Sequence, residues 1–512
     1  MTEQIGLLPE YLTAHLQLVL VALLVGIAVS IPLGVVAVRT PWFEQVVLGL
    51  ASLIQTIPSL ALLAVMVPML AAIGVPSIGY LPAFIGLVLY SVLPILRNTV
   101  TGLGTVDSSL KEAARGVGMT PWQQLIRVEV PLAMPVIIAG IRTAAIWTVG
   151  MATLSTPVGA TSLGNFIFTG LQTRNHSAII VGCVAAAVLA LTLDGLIRLI
   201  AVGWERRHRG ILALSLTVLA AGYLYTGVTL GRELVQSTPE RIVVGAKAFT
   251  EQYILSEILA RQITHETGTA TEIVQSLGST VAFDALRSGE IDVYVDYSGT
   301  IWATLMQRDT SPEDRAAVLA EVEQFLHNRH DIVLVGTLGF ENAYALAMRR
   351  DIAEQRGIQR ISDLVRHAPT LSIGGDYEFF GRAEWRALRQ TYGLAFASQR
   401  TMDPALMYQV VAQGDVDVIS AFSTDGRIAA LDLVVIEDDR GAIPPYDAIV
   451  LAGKRLHRRY PDAIDALRKL VGTIDGDTMR RLNLSVDQDE KSPRTSADNF
   501  FLMLRNRTKP RR

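Results

Sequence analysis

The chain has 512 residues, half of them hydrophobic and only 18% charged, with a formal net charge of −3. An average soluble domain is about 25% charged, and the shortfall here is one-sided: the first 230 residues hold 19 of the 93 Lys, Arg, Asp and Glu side chains. This distribution excludes a single soluble enzyme and a wholly embedded channel. No basic stripe marks a nucleic-acid binder, and the lone Cys183 excludes an intramolecular disulfide or a Cys-based zinc site. The neighbours of Cys183 in IIVGCVAAAV are apolar, so it reads as a small packing residue.

A helix needs about 20 apolar residues to cross a bilayer. Residues 1–230 supply six such runs, at about 14–38, 46–73, 81–100, 131–155, 177–201 and 211–230. Pro82, Pro94 and Pro135 interrupt two of them, which membrane helices tolerate where neighbours re-satisfy the backbone. Basic residues set the orientation. Arg39, the group Arg97, Lys111, Arg115 and Arg127, and the group Arg206, Arg207 and Arg209 all fall on one side if the N-terminus is outside. The leader has no basic n-region, so a cleaved signal peptide is not expected. Six spans then place residues 240–505 outside as well, after a short linker at 231–239 and before a basic tail at 506–512. Within the spans, Gln55, Arg142, Asp194 and Arg198 are the main polar groups, and the i,i+4 spacing of Asp194 and Arg198 suggests a local ion pair.

Residues 105–131, between the third and fourth spans, contain Glu112-Ala113-Ala114, three residues, Gly118, nine residues, and Val128-Glu129-Val130-Pro131. This resembles the EAA coupling loop of binding-protein-dependent ABC importers, with Val in place of the usual Ile and Leu. The two halves read as short helices, the second opened by Thr120 as cap and Pro121 in its first turn, with Gly118 allowing the turn between them. The resemblance implies a cytoplasmic ATPase subunit as partner, with Glu112, Ala113, Ala114, Gly118 and Pro131 as the motif positions, and a permease that works as a homodimer. No GxxxxGK[ST] phosphate loop occurs in the chain. ATP is therefore expected on the partner, and this chain itself carries no cofactor, no metal and no enzymatic activity.

From residue 241 strands and helices alternate: RIVVGAK, TEIVQSLG, IDVYVDY, PTLSIGG, GDVDVISAF and LDLVVIED as strands, with amphipathic helices between them. This predicts an α/β fold with mostly parallel sheets, large enough for two lobes. The segments GAKAFTEQ, ALRSGEIDVYVDYSGT, GFENAYAL, DVDVISAFSTDGRI and PPYDAIV resemble the substrate-binding proteins of osmoprotectant importers, which take glycine betaine, choline, carnitine and related quaternary ammonium solutes. The implied fold is an all-α permease of the type I ABC-importer kind followed by an α/β two-lobed periplasmic-binding-protein domain of type II. Lobe 1 comprises 240–340 and 445–505, and lobe 2 comprises 345–438.

A permanently methylated ammonium has no N–H to donate, so aromatic faces are the selective attraction for it. Aligned with the resembled proteins, Tyr297, Tyr344, Phe422 and Tyr446 fall on four cage positions, with Phe422 replacing the usual tyrosine. Thr300 is a further polar contact. Thr250 and Gln252 at a helix N-terminus suit an anionic ligand group. Glu378 and Arg382 either face the cleft from lobe 2 or cap the helix that follows; in the cleft they would suit a ligand with more polar groups. One such ligand is ergothioneine, a trimethylated histidine derivative imported by permease–receptor fusions of this build. Two other classes compete. A membrane-anchored enzyme would rest on His327 and His330, which lack a third metal ligand nearby, or on Ser298 and Ser423, which lack a GxSxG elbow. A ligand sensor would need a cytoplasmic output domain longer than the coupling loop.

Overall fold

The structure, a computed structural model, describes residues 2–173, 175–235, 241–308, 315–376, 378–489 and 491–508. Residues 236–239 of the expected linker, Arg174, and 509–512 of the basic tail lie outside this set. The chain divides into two compact units, Met1–Phe168 with Ser177–Thr238, and Thr169–His176 with Pro239–Arg512.

The first unit is helical. Among the described residues, five helices are long and apolar enough to cross a membrane: Gly6–Ala37, Tyr80–Gly104, Pro121–Thr153, His176–Glu205 and Arg209–Arg232. The expected span 46–73 is not one helix. It is a pair, Pro41–Thr56 and Ser59–Ala72, bent by 100°. The cause is local: Ile57 precedes Pro58 and adopts extended dihedrals, because the proline ring disfavours the helical conformation of the residue before it. Pro94 and Pro135, in contrast, are absorbed within continuous helices. Leu18, Leu20, Ala83, Leu87, Val149 and Ala152 form an apolar core among the helices that hold them.

Two further expectations need correction here. Asp194 does not pair with Arg198; its carboxylate takes Nε and Nη2 of Arg142 at 2.8 and 3.0 Å, which joins two spans instead of one turn. Cys183 is exposed, because an apolar residue on a membrane helix can face outward instead of into a core. The last helix extends to Val235, through the first part of the expected linker.

Among the described residues the second unit holds ten strands: β1 (Ile242–Lys247), β2 (Thr271–Leu277), β3 (Val293–Tyr297), β4 (Val333–Glu341), β5 (Tyr344–Arg349), β6 (Ser372–Gly375), β7 (Ser398–Thr401), β8 (Val418–Phe422), β9 (Leu433–Ile436) and β10 (Asp447–Ala452). They form two five-stranded sheets, ordered β2-β1-β3-β10-β4 and β7-β6-β8-β5-β9. The chain leaves the first sheet at residues 342–343 and returns to it after β9. Neither sheet is mostly parallel. In the first, β10 runs antiparallel to β3 and β4, and in the second β5 runs antiparallel to β8 and β9. Each of these is the strand that has just arrived from the other lobe, so it enters against the local βαβ direction. Strands β3 and β10 are buried throughout, as expected where helices cover both faces of a sheet. The edge strand β7, with sequence SQRT, is exposed along its length, and its polar side chains blunt an open edge.

Candidate functional site

A cavity of about 270 Å³ lies in the second unit, lined from both lobes. Its apolar wall is aromatic. Tyr297 ends β3, Tyr344 begins β5, Phe422 ends β8, and Tyr446 immediately precedes β10. All four line the cavity, because the crossovers bring the ends of these strands to one place. The rings of Tyr344 and Phe422 lie 4.9 Å apart, and Tyr344 meets Tyr446 edge-on at 6.1 Å. A fifth ring, Phe249, stacks on both Phe422 and Tyr297 at 6.2 Å. Sequence reasoning passed over Phe249, although GAKAFTEQ contains it; an aromatic in a strand-to-helix turn gives no signal of which way it packs. Gly299 admits the ring of Tyr446, since an added Cβ would sit 2.5 Å from it.

The hydroxyls of two rings are committed. Tyr297 donates to Oε1 of Glu251 at 2.5 Å and accepts from Nε2 of Gln252 at 3.1 Å. Tyr446 donates to the buried carboxylate of Glu384, which lies in the other lobe. Burial, and next the charge of Glu251, hold the Tyr297 phenol well above its ordinary range. The Tyr297 hydroxyl therefore stays protonated and works as a donor.

The remaining expected residues fall into place unevenly. Thr300 lines the cavity. Thr250 also lines it, with its hydroxyl donated to Asp487 at 2.6 Å. Gln252 is not among the lining residues. It is 1% exposed and braces Tyr297 from behind while accepting from the Lys247 amide, because its position on helix Thr250–Thr267 faces the sheet. Arg382 and Glu378 both line the cavity and pair at 3.0 Å. The Arg382 guanidinium sits 5.1 Å over the Tyr344 ring and also holds Glu384 at 3.2 Å. Burial opposes its charge, but Tyr344 and Glu384 outweigh it, so its basicity is raised.

Several buried polar residues here had no sequence signal beyond residue type. Glu251, Asn342, Thr424 and Asn483 form one hydrogen-bonded cluster beside the rings, and Arg427 is buried against Asp425 with its guanidinium 4.0 Å from the Tyr408 ring. Chain positions so far apart meet only through the fold. His330 packs against Phe283 and Phe325, and among the described residues no three His, Cys, Asp or Glu side chains are grouped to hold a metal.

In the first unit, helix Ser108–Gly116 carries Glu112, Ala113 and Ala114. Glu112 and Ala113 are exposed and Ala114 is buried. Gly118 turns the chain with φ +83°, a region closed to most side chains. Thr120 and Gln123 then form a reciprocal capping box with Pro121 in the first turn. The second helix is not short: a π-turn over Leu125–Glu129 leads straight into Val130–Thr153, so Pro131 lies inside a helix and not at the end of a loop. Proline is accommodated there because it falls in the first turn of the α-helical segment. The side chains form a chain of contacts, from Arg115 to Gln124 at 3.4 Å, Gln124 to Glu129 at 2.7 Å, and Arg39 to Glu129 at 3.4 Å.

Residues 240–501 match the family described as the substrate binding domain of ABC-type glycine betaine transport systems. Residues 26–208 match the inner membrane component of binding-protein-dependent transport systems. The ergothioneine transport permease/ergothioneine binding protein EgtU of Helicobacter pylori is 31% identical over 488 residues, covering 92% of this chain and 86% of that protein. The permease protein OpuCB of the Bacillus subtilis glycine betaine/carnitine/choline system is 44% identical over 180 residues, 35% of this chain and 80% of that one. A crystal structure of a glycine betaine/carnitine/choline ABC transporter protein is 30% identical, with a TM-score of 0.47, and covers 52% of this chain and 98% of that chain. The chain therefore belongs to the ABC-importer family in which a multi-pass inner-membrane permease is fused to a substrate-binding domain of the glycine betaine class.

Proposed function

We propose that this chain is the permease and receptor subunit of an ATP-driven importer for a trimethylammonium solute of the glycine betaine, choline and carnitine class. The observation that carries this reading is the wall of Tyr297, Tyr344, Phe422 and Tyr446 on one interlobe cavity. Each face supplies attraction to a desolvated cation, about 2 kcal/mol or more when buried, and the hydroxyls of Tyr297 and Tyr446 are turned away onto carboxylates. Thr250, Thr300, Glu378 and Arg382 are the polar contacts of the ligand, and Gln252 acts through Tyr297. A second reading, ergothioneine, is supported by the likeness to the fusion named for that solute over 92% of the chain and by the charged pair Arg382–Glu378 at the cavity.

In this proposal the N-terminus and the receptor half lie outside the cytoplasmic membrane, and the coupling loop faces inward. Glu112 and Ala113, with Val117 and Trp122 at 75% and 68% exposed, meet the ATPase subunit. The permease works as a homodimer with two ATPases. Ligand closes the lobes; ATP binding moves the coupling loop, opens the path outward, and the ligand is released inward. Calorimetry of the detergent-solubilised chain against glycine betaine, choline, carnitine and ergothioneine tests the site, and binding to none of them would sink it. For coupling, Gly118→Val should abolish ATP-dependent uptake in reconstituted vesicles while leaving ligand affinity unaltered, since φ +83° excludes a β-branched residue. Undiminished uptake would remove the coupling role.

A further inference from the structure

Glu251 is 2% exposed and lines the cavity. Both of its carboxylate oxygens are saturated by neutral donors. Oε1 accepts from Tyr297 at 2.5 Å and from Asn342 Nδ2 at 2.9 Å; Oε2 accepts from Thr424 at 2.5 Å and from Asn483 Nδ2 at 3.1 Å. No Lys, Arg or His pairs with it among the described residues. The nearby cations are occupied: Lys247 contacts Asp296, Arg427 is held by Asp425 at 2.6 Å, and Arg382 by Glu384 and Glu378. Burying a carboxylate without a counter-charge is costly and pushes the Glu251 carboxyl above its ordinary range, while its four donors act the other way by favouring the charged form. The lining as a whole carries five carboxylates, Glu251, Asp376, Glu378, Asp425 and Asp487, against three cations. The donors come from both lobes and from the crossover: Tyr297 and Asn483 from lobe 1, Thr424 from lobe 2, and Asn342 from the connection between β4 and β5.

We infer that Glu251 is the ionic specificity determinant of this site, the buried counter-charge for the ligand's fixed positive charge, whose donors from both lobes exist in full only when the lobes are closed. This rests on the trimethylammonium reading above and adds to it the group that distinguishes a cation from a neutral shape. The Tyr297–Glu251 hydrogen bond serves the same end, because a phenol that donates to a carboxylate has a more electron-rich ring face.

The test separates charge from shape. Choline and its uncharged carbon isostere 3,3-dimethylbutan-1-ol are titrated into the full-length solubilised chain, and the ratio of their affinities is measured in wild type and in Glu251→Gln. The expected result is that the ratio falls by about tenfold or more in the variant, chiefly through choline. A role in folding or closure alone would weaken both ligands alike and leave the ratio unchanged, which would overturn the inference. Because the new amide would face Asn483 Nδ2, the double variant Glu251→Gln/Asn483→Leu removes that opposition and should show the same fall in ratio if the single variant does not fold. Failure of wild type to bind choline would overturn the inference, and failure to bind any of glycine betaine, choline, carnitine and ergothioneine would overturn the trimethylammonium reading with it. Binding by wild type with an undiminished ratio in either variant would overturn the inference alone.

Discussion

The two lobes build their halves of the aromatic wall by different means. In lobe 1, Tyr297 and Tyr446 are fixed at both ends: the rings sit in the core and the hydroxyls are anchored on Glu251 and Glu384. In lobe 2, Tyr344 and Phe422 are held by ring contacts, with each other and with Phe379 and Phe249. A hydrogen-bonded ring has little freedom to turn, whereas a stacked ring can slide. Lobe 1 therefore offers a rigid surface and lobe 2 an adaptable one. The anchor of Tyr446 also crosses the cleft, since Glu384 belongs to lobe 2, so one ring of the rigid pair doubles as a latch.

Substitutions can break this contrast, starting with the largest effect. Tyr344→Ala removes a whole face from the wall and the seat of the Arg382 guanidinium. Loss of about 2 kcal/mol should raise the ligand Kd about 30-fold in calorimetry. Tyr446→Phe keeps the ring and deletes the latch. Because it leaves Glu384 with Arg382 as a partner, the cost should be about 1 kcal/mol, seen as a roughly fivefold faster ligand dissociation by stopped flow. Phe422→Tyr restores a hydroxyl in the stacked pair. If ring contacts suffice in lobe 2, affinity for choline should change by less than about threefold. A larger gain would show that this lobe also wants an anchor and would erase the contrast.

Much of the receptor's architecture was legible. β1 and β3 announce themselves as short apolar runs, and the helix after β1 as an amphipathic stretch. β4, β5, β7 and β10 were not singled out as strands: β4 is broken by glycines, and SQRT in β7 has no apolar pattern to read. The antiparallel entry of β5 and β10 was illegible because strand direction depends on where the chain has been, not on local composition. In the permease, hydropathy located every apolar run, but it could not distinguish Pro58, which breaks a helix, from Pro94 and Pro135, which do not. A proline's effect depends on whether neighbouring helices hold the chain straight.

At the site, Tyr297 and Phe422 stand at the ends of strands that the sequence pattern marks, whereas Tyr344 and Tyr446 came from the resemblance to the binding proteins, since β5 and β10 were not marked. Gln252 could not be distinguished from Thr250, two residues away, until the helix's rotation turned one toward the sheet and the other toward the cavity. The partner of Asp194 was likewise misread, since spacing along one helix says nothing of the next. Residue types and their order alone were enough to establish an apolar half and a charged half, because transfer free energies and hydrophobic periodicity act locally. Which carboxylates anchor those rings, and that Glu251 collects donors from four separate segments without a cation, was decided by the tertiary structure alone, because hydrogen bonds form between whichever groups the fold brings within about 3 Å.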